Sequence, residues 1–268
     1  MADQRPLAVV TGANGAIGFA IARGLEDRGF DLVLVVRNRA RAERSLGEWR
    51  DSHRRVSVET CDLGRRLEVM ALAERLPQAI DVLVNNAAEC PHHREETPEG
   101  IERQWATNVL GYHWLIEACT PVLSRSRSQG ARVVNVASYY AGGLDLRDVE
   151  FRRRPYDNDT AYRQSKQADR MLTVAHARRL RDHGIAVYAC HPGEVRSKLS
   201  KDLGFGGHES PETGADTPVW LATEALPPEA SGKYFARRRE DSCRFGTDEA
   251  EVAALMELCA SYGSAAAP

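Results

Sequence analysis

Three glycines between a strand and a helix set the tightest limit on what this chain can fold into. Pro6–Thr11 (Pro-Leu-Ala-Val-Val-Thr) reads as a short buried strand. It runs into Gly12-Ala-Asn14-Gly15-Ala16-Ile17-Gly18, then into an apolar-periodic stretch, Phe19 to Arg28, that predicts a helix. Asp31–Val36 follows as a second continuous apolar run. Strand, turn, helix and strand within about 30 residues form a dinucleotide-binding unit. Glycines allow a tight turn and close backbone approach, and the helix start presents N–H groups to a pyrophosphate. A glycine triplet alone would barely stand out from an ordinary α/β turn. The flanking strands and helix carry the reading.

The end of the second strand bears on the cofactor. Sites that prefer NAD(H) usually place an acid about 20 residues beyond the turn, bonded to the ribose hydroxyls. Here the residues are Val36-Arg37-Asn38-Arg39. A guanidinium suits a 2′-phosphate and offers no acceptor to a 2′-hydroxyl. Arg39 and Arg41 read equally as a solvated basic loop, but the strand end sets the place of Arg37. The expectation is NADP(H) ahead of NAD(H).

Farther on, Tyr162-Arg-Gln-Ser-Lys166 puts a phenol and an ammonium one helical turn apart. A nearby positive charge stabilises phenolate and lowers the tyrosine pKa from its reference of about 10. That would give a proton donor and acceptor usable near neutral pH. The spacing alone is weak, and the dinucleotide unit upstream gives it weight.

The coarse pattern alternates. Further strands are expected at Val56–Thr60, Val82–Asn85, Arg132–Val136 and Ala186–His191, with a last short one at Lys233–Ala236. Helices are expected at Ala40–Asp51, Leu67–Leu76, Glu99–Ser124, Thr160–Asp182, Pro211–Ala225 and Asp248–Cys259. This predicts an α/β doubly wound parallel sheet with helices on both faces. The length of 268 residues fits a single Rossmann domain over 1–268. Within it, a substrate loop at about 194–211 and a C-terminal extension at 226–268 are expected. The final Gly-Ser-Ala-Ala-Ala-Pro is expected to fray.

A formal charge of −2 argues against a nucleic-acid surface. No apolar run is long enough to cross a bilayer, and the first residues do not resemble a signal peptide, so a cytoplasmic protein without a membrane anchor is expected. The 6 cysteines lack metal-like spacing, and His92-His93 lack a CxxC or HExxH context. No metal is expected, and the cysteines read as reduced structural thiols.

Taken in order, the motifs resemble the short-chain dehydrogenase/reductase family over nearly the whole chain. They are the turn from Thr11 to Gly18, Cys61-Asp62-Leu63, Asn85-Asn86-Ala87-Ala88, Asn108, Asn135-Val-Ala-Ser138, Tyr162-xxx-Lys166 and His191-Pro192-Gly193. The resemblance implies that Asp62 and Leu63 hold the adenine, and that Asn86 and Ala87 pack near its ribose. It also implies that Ser138 bonds the substrate oxygen and Tyr162 passes the proton. Lys166 is implied to bind the nicotinamide ribose, with Asn108 holding a water behind it. Pro192, Gly193, Val195 and Ser197 are implied to frame the nicotinamide. Three departures stand out. Gly15 and Ala16 are exchanged relative to the compact pattern, Ala88 replaces a common glycine, and Ser197 a frequent threonine. The long segment between Ser138 and Tyr162 is similar to the retinol-dehydrogenase-like and carbonyl-reductase-like branches.

The implied activity is interconversion of a small-molecule carbonyl and alcohol. The alternatives are a nucleotide-sensing protein of this fold without turnover, and an epimerase or dehydratase with a recycled cofactor. The candidate pocket wall is Glu89–Arg94, Tyr139–Leu144, Glu194 and Ser197–Ser210. The last stretch reads equally as a mobile lid or a surface loop. Glu194 is expected to face solvent rather than substrate, and Arg152–Arg154 to form a solvated basic turn. A monomer and a homodimer both remain open.

Overall fold

The computed structural model describes residues 5–52, 55–128 and 130–264. Its strands are β1 (Leu7–Thr11), β2 (Asp31–Val36), β3 (Val56–Thr60), β4 (Val82–Asn85), β5 (Ala131–Val136), β6 (Ile185–His191), β7 (Tyr234–Ala236) and β8 (Arg239–Glu240). They form one sheet in the order β3-β2-β1-β4-β5-β6-β7-β8. Every pairing is parallel except β7 with β8. The chain order reverses direction between β1 and β4. In an open α/β sheet that reversal leaves a crevice beyond the carboxyl ends of those strands, where ligands bind.

Both faces of the sheet are covered. On one side lie α1 (Ala16–Glu26), α2 (Arg39–Ser52) and α7 (Pro211–Thr223); on the other lie α3 (Arg66–Arg75), α4 (Gly111–Leu123), α5 (Asn158–Leu180) and α8 (Glu249–Ser264). A short α6 (Lys198–Asp202) lies beyond β6. Successive strand residues point to opposite faces. Ala8 and Val10 therefore join the cluster containing Ile21, Leu46 and Val219. Val9 joins the one containing Val69, Leu115 and Met171. Strands buried on both sides read as continuous apolar runs, as these do.

Several elements depart from the sequence expectation. Helix α1 begins at Ala16 and not at Phe19, because Gly15 is the N-cap and Gly18 lies inside the first turn. The expected helix from Glu99 is broken: Glu96 and Glu102 form an antiparallel bridge, and Trp105–Leu110 is a π-helical segment ahead of α4. Glu102 caps this start by accepting the backbone N–H groups of Gln104 (2.9 Å) and Trp105 (2.7 Å). Helix α6 and strand β8 had no period of their own to reveal them. Fraying was expected over 263–268, but Gly263 and Ser264 close helix α8, and residues 265–268 lie outside the described residues.

Candidate active site

The glycine turn is shaped by contacts with the end of β4. Gly12 has φ +63, and a Cβ there would come within 2.8 Å of the Ala87 Cα. A Cβ on Gly18 would come within 2.3 Å of the Gly12 carbonyl oxygen and 2.6 Å of Asn86 Nδ2. Gly15 is different: its φ is −86, and its Cβ would stand 3.3 Å from that same oxygen. The exchange of Gly15 and Ala16 therefore leaves both sterically demanding glycines in place. Asn86 stitches the two strands together. Its Nδ2 donates to the Thr11 carbonyl at 2.9 Å, and its N–H donates to Thr11 Oγ1 at 2.9 Å. Ala87 donates to the same hydroxyl at 3.1 Å. No side chain caps the start of α1. Its first N–H groups, with Asn14, Ala16 and Ile17 around them, form the kind of cradle that suits a phosphate.

The residues expected around the adenosine are already engaged with one another. Arg37 pairs with Glu89. Arg103 approaches Glu89 at 3.9 Å and Asp62 Oδ2 at 3.4 Å. Asp62 Oδ1 accepts the Gly64 N–H at 3.0 Å. Leu63 is 4% exposed and belongs to the core, packed against Gly111. Asn38 was expected at the cofactor, but its Oδ1 accepts the Arg41 N–H at 2.9 Å and caps α2. Ala88 is half-buried beside Glu89.

Ser138, Tyr162 and Lys166 come together beyond the end of β5. Asp157 caps α5 by accepting the Thr160 N–H at 2.9 Å, and the helix carries Tyr162 and Lys166 inward. The Ser138 hydroxyl, which accepts the Tyr140 N–H at 3.1 Å, lies beside the Tyr162 phenol. The Lys166 ammonium lies 5.9 Å from the Tyr162 ring centroid. Burial pushes the phenol well above its ordinary pKa; the nearby Ser138 hydroxyl pulls the other way, and Asp169 adds to the rise. The net direction is upward, because burial outweighs the support for phenolate expected from Lys166. The Lys166 charge is taken up elsewhere: Nζ donates to Asp169 Oδ2 at 2.8 Å and to the Val136 carbonyl at 3.1 Å. Asn108, fully buried in the π-helical segment, clamps the Glu89 backbone from both sides. Its Oδ1 accepts the Glu89 N–H at 2.9 Å, and its Nδ2 donates to the Glu89 carbonyl at 3.0 Å.

The loop after β6 folds back over this end of the sheet. Gly193 has φ +95 and faces the Glu209 carboxylate, which would lie 1.8 Å from an added Cβ. Val195 forms a parallel bridge with Glu209, and Gly214 packs against Val195 and the Pro192 carbonyl. Ser197 caps α6 through a reciprocal pair with Ser200. Glu194 does not simply face solvent. It accepts the Tyr139 hydroxyl at 2.6 Å and lies 3.2 Å from His208 Nδ1, tying the loop to the segment after Ser138. Arg152 and Arg153 are exposed and Arg154 is half-buried, and the backbone N–H groups of this turn wrap the Asp148 carboxylate.

Sequence reading missed Asp169 and Arg170, which lack any motif but follow Lys166 on the same helix. Arg170 is 6% exposed; it donates to the Ser138 carbonyl and lies 3.6 Å from the Tyr234 ring centroid. It also missed His113, Glu117 and His176, whose ligand atoms lie within 4.8 Å of one another. The two rings meet at 3.2 Å and Arg179 holds Glu117, while the buried His176 Nδ1 lies 3.5 Å from Glu117 without a hydrogen-bond partner among the described residues. Among the described residues no helix is long and apolar enough to cross a membrane.

Comparison with known proteins agrees with this geometry. The short chain dehydrogenase family matches residues 6–205. Retinol dehydrogenase 13 of Mus musculus is 32% identical over 288 residues, covering 96% of this chain and 85% of its own. A crystal structure of an uncharacterised protein from Mycobacterium paratuberculosis superposes with a TM-score of 0.78 at 29% identity, covering 100% of this chain and 98% of that one. NADPH-bound carbonyl reductase from chicken fatty liver shares the fold, with a TM-score of 0.67 at 22% identity over 86% of this chain and 96% of that one. The glycine cradle, the Ser138–Tyr162–Lys166 cluster and these matches place the chain in the short-chain dehydrogenase family, on its retinol-dehydrogenase-like branch, as an NAD(P)-dependent oxidoreductase.

Proposed function

We propose that the protein is an NADP(H)-dependent reductase or dehydrogenase that interconverts a small-molecule carbonyl and its alcohol. The observation that carries this reading is the buried Tyr162 phenol beside Ser138, with the Lys166 ammonium 5.9 Å from its ring centroid, at the carboxyl end of the sheet. The start of α1 would hold the pyrophosphate, and Arg37, released from Glu89, the 2′-phosphate. Asp62 and Leu63 would border the adenine, and Val195 and Ser197 the carboxamide. Bound there, the nicotinamide supplies the hydride. Ser138 and Tyr162 donate hydrogen bonds to the oxygen where charge grows, and Tyr162 passes the proton. A phenol held protonated by burial suits the reductive direction, in which it is the donor. Lys166 steadies the phenolate left behind.

In this reading the described chain acts as one catalytic domain, and the loop at 194–211 closes over the substrate. The test is oxidation of NADPH and NADH, side by side, across aldehydes, ketones and quinones, with Tyr162→Phe as control. The expected result is NADPH-preferring turnover, lost by about 10²–10⁴-fold in Tyr162→Phe. NADH preference would overturn the role given to Arg37. Tight NADPH binding, with no turnover across the panel in either direction, would favour a sensing protein.

A further inference from the structure

We propose that Asp169 is a positioning residue for catalysis: it is the buried counter-charge that holds the Lys166 ammonium in place behind Tyr162. The inference rests on the Tyr162–Lys166 reading above and extends it to a residue outside the motif.

Lys166 and Asp169 are each 1% exposed. Three residues apart on α5, they share a face. An ammonium has three donors. Asp169 Oδ2 takes one at 2.8 Å and the Val136 carbonyl a second at 3.1 Å, leaving one for a ligand. The groups facing this pair come from four elements. Tyr112 of α4 lies with its ring centroid 5.2 Å from Nζ. Cys190 of β6 and Cys259 of α8 are buried thiols, and burial pushes both well above their ordinary range. On α5 itself stand Tyr162 and Arg170. Arg170 makes no ion pair with Asp169: its guanidinium reaches the Ser138 carbonyl, Cys243 Sγ and the Tyr234 ring. Among the described residues, Asp169 is thus the carboxylate that answers the Lys166 charge.

A buried ion pair is a poor device for stability alone, since an apolar pair of similar volume often serves as well. Removing one partner is another matter, because it leaves an uncompensated charge in an enclosed space. Without Asp169 the ammonium is disfavoured, and a neutral amine no longer supports the phenolate. Asp169 Oδ1 has no hydrogen-bond partner, so the carboxylate has no other local task.

The experiment uses the full chain and the variants Asp169→Asn, Asp169→Glu and Tyr162→Phe. The first readout needs no substrate. The chain has only 4 lysines, so the 13Cε signal of Lys166 can be followed by NMR and assigned with Lys166→Arg. In Asp169→Asn the pH at which this signal loses its ammonium character is expected to fall by about one unit or more. Asp169→Glu is expected to restore it. An unchanged signal overturns the proposal.

The second readout is alcohol oxidation with NADP. In Asp169→Asn, kcat is expected to fall on the order of tenfold to a hundredfold, with the ascending limb on which Tyr162 becomes phenolate moved to higher pH. NADPH affinity is expected to change less than about threefold, a split that general loosening of the fold would not give. A limb moved to lower pH overturns the proposal, since Asp169 would then act by repelling the phenolate directly. Should Asp169→Asn fail to fold, Asp169→Glu decides alone: a wild-type signal and limb support the role, and displacement of both overturns it. Turnover surviving in Tyr162→Phe would sink the tyrosine reading itself, whereas a dead Tyr162→Phe beside an unchanged Asp169→Asn would sink only the role of Asp169.

Discussion

The two ends of the site are built from different materials. At the glycine turn, backbone meets backbone: Gly12, Gly18, Thr11 and the start of α1 approach so closely that a single Cβ would collide. At α5, buried side chains carry the design: Tyr162, Lys166, Asp169 and Arg170 are all under 9% exposed, and three of them ionise in ordinary solution. The first end is a matter of shape and tolerates almost no added volume. The second is a matter of charge and depends on each group finding its partner. The turn should therefore respond to volume and not to pH, and the packing around α5 to both.

The sharpest way to break this comparison is Gly18→Ala. The added Cβ would come within 2.3 Å of a backbone oxygen, so the turn or the helix must shift. The expected cost is about 3 kcal/mol or more, despite the better helix propensity of alanine. Urea unfolding and NADPH binding should both show the loss. A fully stable variant with wild-type affinity would mean the turn is far more pliable than its contacts imply.

A smaller effect is expected from pH. Burial, with a smaller push from Arg179, holds His113 down to about 4, and burial with Arg170 does the same to His191. An unfolded histidine takes its proton near pH 6.5. Between those values the unfolded state binds more protons, so this contribution is complete above about pH 6.5 and is lost as pH falls towards 4. Glu102, which burial raises to about 7, works in the opposite direction. The measurement is therefore a difference: the urea midpoint of wild type against His113→Gln from pH 7 to pH 4. The gap should narrow or reverse on acidification, and a constant gap would remove His113 from the account.

The smallest effect is expected from Gly15→Ala. Its φ is ordinary and its nearest contact is 3.3 Å, so the change should stay within about 1 kcal/mol and leave NADPH affinity nearly unaltered. Equality with Gly18→Ala would erase the distinction drawn between the two glycines.

Much of the fold was legible because it follows local periodicity. β2 and β4 ran over the expected residues, since strands buried on both faces read as unbroken apolar runs, and the edge strand β3 did so through the alternation of Val56 and Val58 with polar residues. The joint order of Gly12, Asn86, Ser138, Tyr162 and Lys166 pointed to the family because each residue type meets a local demand of the crevice. The break ahead of α4 was not legible. It depends on Glu102 reaching two backbone N–H groups inside the core, and an isolated glutamate in a helical pattern gives no sign of that. The capping tasks of Asn38 and Ser197 were also not legible, because a polar residue in a loop shows its capping role only once the next helix is seen to begin there.

By itself, then, the sequence determined the sheet, its helices and the reaction class that its motifs imply. Those follow from spacing, steric size and turn chemistry along a short stretch of chain. Only the tertiary structure decided how the charges pair: Arg37 with Glu89, Lys166 with Asp169, and Arg170 with the Ser138 carbonyl. Charge pairing is set by burial and by distances between elements far apart in the chain, and a linear pattern contains neither.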